Sequence, residues 1–225
     1  MAKMNYYQID FVYEKETNVI ELYNKETLDF LETEDKYKVE SYFENRHNFF
    51  SDIPCNILGR KQKKKPLVDY MDITPTCLSL VGVVSEKVKG ILEDLNVNIN
   101  EYRLKEMFID GFSEPYYLLF VPLIRNTEYY YPKCIFVDVF DNKKTRTFNN
   151  REEFIHSDGC YFLRHVELKD VYKDYDMLNP QNGQLLMAER LIDEFEKRSV
   201  SGYKIVTGGC YYETVGFHEP SSGDM

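Results

Sequence analysis

Behind the apolar pair Val83–Val84, the residues Val88, Ile91, Leu92 and Leu95 recur at i, i+3, i+4 and i+7. That spacing puts one buried stripe on a helix. The arrangement returns further along the chain. "VVSEKVKGIL" (Val83–Leu92) and "LMAERLIDEF" (Leu186–Phe195) share two apolar residues, a small residue, Glu, a base, and then apolar residues at helical spacing. In the second copy Met187, Leu191 and Phe195 recur at i+4, and Ala188 and Ile192 widen the stripe. Ser85 is placed to cap the first helix, Glu86 sits where a helix dipole favours an acid, and the base of each phrase is expected in solvent. Asn96–Asn100 ends the first helix, and the turn cluster "NPQNGQ" precedes the second phrase.

Strand patterns surround both copies. "EYRLKEMFI", "PYYLLFVPLI", "CIFVDVFD", "CYFLRHVEL" and "SGYKIV" are short, rich in β-branched and aromatic residues, and bounded by turn formers. Partial alternation near the N-terminus predicts strands over Tyr6–Tyr13 and Val19–Tyr23. The copies lie too far apart for a solenoid repeat. The expected fold is therefore α+β, with mixed sheets, two related strand–helix–strand units and few helices. Composition divides the chain into an acidic, strand-rich part over residues 1–65 that ends in a basic linker, a repeat-bearing region over 66–210, and a disordered tail over 211–225.

Composition narrows the function. The chain has 225 residues, of which 43% are hydrophobic, enough for a substantial core. The longest apolar run, Tyr116–Ile124, falls well short of the roughly 18–20 residues that cross a bilayer. Met1–Tyr7 has no secretory pattern, so a cytoplasmic protein with no membrane partner is expected. Net charge is −10, and Met1–Gly59 carries twelve acidic against six basic residues. Acidity disfavours nucleic acid and favours a basic protein partner, which it would attract and orient. The run "GRKQKKKP" (Gly59–Pro66) reads as a solvated loop, with phosphate contact or pairing to the acidic N-terminal part as alternatives.

Two phrases with a "YYLL" strand between them form a pattern. "VVSEK" at Val83–Lys87, "YYLLFV" at Tyr116–Val121, "YFLRH" at Tyr161–His165 and "LMAER" at Leu186–Arg190 together resemble the immunity protein family eleven group of bacterial polymorphic toxin systems, and the related family forty-three. That family opens a helix twice with an LVSE-type phrase and places a Phe–Arg pair before the second opening. Here Ala188 stands in place of Ser, and Leu163 lies between Phe162 and Arg164. The match spans Asp72 to Val206. It implies a cytoplasmic protein that binds and neutralises a cognate toxin, and it supplies no catalytic residues.

The residues themselves offer few sites for chemistry. Five cysteines (Cys55, Cys77, Cys134, Cys160, Cys210) and four histidines (His47, His156, His165, His218) are scattered, with no CxxC pair, so neither metal nor cofactor is expected. "HSDGCYFLRH" (His156–His165) is the one crowded stretch. A thiol hydrolase with Cys160 as nucleophile and His156 or His165 as base is the enzymatic alternative to a turn entering a strand. A metal on His156, Asp158 and Cys160 would need a second ligand cluster. A scaffold or phage-associated protein with no toxin is the remaining class. Nineteen tyrosines and no tryptophan draw attention to "RNTEYYYPK". Tyr is a common interface anchor, which makes Glu128, Tyr129, Tyr130 and Tyr131 the candidate partner-binding residues. On this reading the protein is a binder that occludes a basic toxin domain, not an enzyme.

Overall fold

The structure, a computed structural model, describes residues 5–12, 19–33, 54–75, 79–180, 185–208 and 211–219. The chain forms two compact units. One consists of Met1–Asp10, Leu123–Ile192 and Ile205–Met225, the other of Phe11–Pro122 and Asp193–Lys204. The fold is α+β with mixed sheets and few helices. No helix among the described residues is long and apolar enough to cross a membrane.

The second unit is built on a closed six-stranded barrel. Its strands are β2 (Val19–Leu22), β3 (Ile57–Lys61), β4 (Tyr70–Thr74), β5 (Leu80–Ser85), β6 (Arg103–Ile109) and β7 (Tyr116–Phe120), in the order β2-β3-β6-β7-β5-β4. Closure leaves no free edge in this sheet. Helix α1 (Lys25–Thr33) follows β2, and α2 (Glu86–Asp94) follows β5 without a break and packs across β5 and β7. Val88, Ile91 and Leu92 are its buried stripe, as the spacing requires. Leu118, Leu119 and Phe120 make β7 continuously buried, the pattern of a strand covered on both sides.

The first unit has two sheets. In one, β1 (Tyr6–Phe11), β13 (Leu186–Ala188), β12 (Met177–Pro180) and β8 (Leu123–Ile124) are neighbours in that order. In the other the order is β10-β9-β11-β15, with β9 at Ile135–Asp138, β10 at Thr145–Arg146, β11 at Tyr161–Lys169 and β15 at Thr214–His218. The short helix α3 (Arg151–Ile155) lies between β10 and β11 in the chain, capped by the Asn150 side chain, which accepts the Glu153 N–H. Helix α4 (Glu189–Lys197) follows β13 directly, and from Asp193 onward it belongs, with most of β14 (Tyr203–Ile205), to the second unit. The core of this unit gathers Tyr6, Tyr129, Tyr131, Phe136, Phe148, Val166 and Leu186 among others, with edge-on and stacked aromatic contacts around Phe136 and Phe148.

Two boundary expectations change. Residues 1–65 do not form a separate part, because β2 pairs with both β3 and β4, which flank the basic run, and so holds Lys61–Pro66 within one barrel. The expected disordered tail contains β15, a five-residue strand parallel to β11. Its hydrophobic face, with Val215 buried, is the long-range contact that local composition hides. Helices α1 and α3 were absent from the expected elements. Cys77, Cys210, His47 and the "QNGQ" part of the turn cluster lie outside the described residues.

Candidate functional site

The two phrases are strand-to-helix junctions, and their surroundings repeat in detail. Strands β7-β5-β4-β2 and β1-β13-β12-β8 pair antiparallel, antiparallel and parallel in both series. Val84 lies between Tyr117 and Tyr70, as Met187 lies between Tyr7 and Met177. The Ser85 N–H donates to the Asp69 carbonyl at 3.0 Å, and the Ala188 N–H to the Asp176 carbonyl at 2.8 Å.

Each Glu-base pair of the phrases clamps both neighbouring strands. Glu86 accepts from the Tyr117 hydroxyl, and Glu189 accepts from Tyr7 at 3.0 Å. On the other side Lys87 donates to Asp69 at 2.8 Å, and Arg190 grips the buried Asp176 through two nitrogens. The bases are exposed, as the sequence suggested, and each is also ion-paired to the residue that precedes the neighbouring strand. Ser85 is the N-cap residue, yet its side chain makes no cap hydrogen bond; its hydroxyl donates to Asp69 at 2.8 Å instead. Burial pushes the Asp69 carboxyl up, but Lys87, the Ser201 N–H and the Ser85 and Ser201 hydroxyls outweigh it and hold the group below its ordinary value. Hydrogen bonds from Tyr117 and Lys89 lower Glu86 in the same sense.

The helices also end alike. Val97 N–H reaches the Leu92 carbonyl at 3.0 Å and Asn96 N–H the Glu93 carbonyl at 3.0 Å, with Asn96 at φ 51°. Val200 reaches Phe195 at 2.8 Å and Ser199 reaches Glu196 at 3.0 Å, with Ser199 at φ 53°. Both are Schellman ends. The repeated phrase is structural: its Glu and base each tie the start of a helix to a neighbouring strand segment.

Of the four candidate binding residues, Tyr129 and Tyr131 are corrected. They are 7% and 4% exposed and belong to the core of the first unit. The segment crosses β11, with Tyr129 bridged to Leu168 and the Tyr130 N–H donating to the Glu167 carbonyl at 2.8 Å. Single 3-10 turns on either side, Asn126–Glu128 and Tyr131–Lys133, take Tyr129 and Tyr131 inward. Burial pushes the Tyr131 hydroxyl up to about 12. Tyr130 stacks on His218 at 3.8 Å between centroids, and Glu128 pairs with Lys169 at 3.0 Å; both are half-buried.

The crowded stretch around Cys160 is a surface turn. His156, Asp158 and Cys160 are all exposed, while His165 points its ring at other partners: Thr214 at 2.7 Å and Glu167 at 3.2 Å. Lys133 reaches the far oxygen of Glu167 at 3.3 Å. A bulge between Leu163 and His165 turns His165 and Glu167 to one face of β11, leaving Val166 and Leu168 in the core. A Cβ at Gly216 would collide with the Glu167 carboxylate, so only glycine lets this pair lie across β15. Hydroxyl, imidazole and carboxylate in series are the connectivity of an activated nucleophile. Here they lie flat along two paired strands, and Lys133 shares the carboxylate. Their effect is to tie edge strand β15 to β11. The sequence separates Thr214 from His165 by 49 positions, and the only local trace is the alternation H-x-E facing T-x-G.

Cys134 is buried, accepts the Glu167 N–H at 3.4 Å, and burial pushes its thiol up to about 12, far from a neutral-pH thiolate. Among the described residues, no three His, Cys, Asp or Glu side chains are placed to hold a metal ion. In the basic run, Arg60 makes a two-pronged pair with Glu21 at 3.0 Å, and Lys61 lies 4.7 Å over the Phe112 ring, so its first two cations are taken up within the barrel unit.

The first unit also exposes some large apolar side chains. Phe140 is 85% exposed, and Val139 and Ile155 are about half exposed. Val139 follows β9 and donates to the Cys160 carbonyl at 2.9 Å, next to the start of β11. Ile155 ends α3, whose Phe154 packs on Phe136 and Phe148. No protein-family model matches the chain, and no curated protein matches it at a significant level.

Proposed function

We propose that this chain is a cytoplasmic immunity-type protein that binds a cognate toxin domain and neutralises it by occlusion. The supporting observation is the repeated clamp. The Glu of "VVSEK" is seated by the second Tyr of "YYLL", and the Glu of "LMAER" is seated in the same way by Tyr7, outside the quoted motifs. Net charge of −10 adds to this reading, since it would speed capture of a basic toxin and orient it on approach.

Such a protein needs an interface of roughly 800 Å² per partner and no chemistry of its own. The test begins with the gene immediately upstream: an open frame ending in a small, basic toxin-like domain is expected there, and its absence overturns the reading. Co-expression of the two should rescue growth, and the purified pair should migrate as one complex. Undiminished toxicity with no complex at micromolar concentrations overturns the reading.

A further inference from the structure

We draw no further inference here: the strongest candidate, the exposed apolar patch of Val139 and Phe140 on the turn after β9, carries nothing, because nothing in the structure shows what covers it.

Discussion

At the scale of single residues, two tyrosine hydroxyls carry the same load. Tyr117 and Tyr7 each donate to the first glutamate of a helix, on strands that stand in equivalent register to the junction. A hydrogen bond to a carboxylate is worth somewhat more than a neutral one, and partial exposure reduces that value. Tyr7→Phe and Tyr117→Phe should each lower stability by about 1 kcal/mol, read as a shift in urea midpoint at constant slope. The two pairs share no partner, so the double variant should lose the sum. A single variant with an unshifted midpoint would mean that its tyrosine serves only by packing.

At the scale of elements, the helices α2 and α4 are equivalent from first turn to last, but their ends are not equally suited to their conformation. Asn96 and Ser199 both occupy left-handed backbone positions, at φ 51° and 53°. Asparagine tolerates that region and serine does so less well, whereas glycine enters it without steric cost. Ser199→Gly should therefore stabilise the protein by about 0.5–1 kcal/mol, raising the melting temperature by about 2–3 °C. Asn96→Gly should gain less. Calorimetry of the two variants checks the order, and a loss of stability in Ser199→Gly would show that its side chain does more than the backbone accounts for.

For the whole molecule, chemistry and binding make opposite demands on the cysteines. The Cys160 hydrolase alternative needs a base directed at the thiol, yet His165 is held by Thr214 and Glu167, and His156 stands on the exposed turn. Cys160→Ser should leave protection against the toxin unchanged in a co-expression assay. In a thiol titration of the native protein, Cys55 and Cys160 should react readily while Cys134 waits for unfolding. Loss of protection in a Cys160→Ser variant that melts normally would return the enzyme to first place.

The sequence by itself determined the class of fold and the two strand–helix–strand units, because both periods are local. A stripe at i, i+3, i+4 and i+7 needs only the chain within three turns, and so does alternation along a strand. It also marked where the phrases lie. Only the tertiary structure decided what the polar residues of the phrases do. Lys87 and Arg190 find Asp69 and Asp176, and Glu86 and Glu189 find Tyr117 and Tyr7, through strand neighbours that no local pattern encodes. Tyr129 and Tyr131 went inward for the same reason: the wall they pack on is β11, more than thirty residues away in sequence. Strand β1, first in the chain, does for the second copy what β7, following the helix, does for the first. Register between distant strands is fixed by which hydrophobic faces bury together, and that free energy depends on the assembled sheet and not on any segment alone.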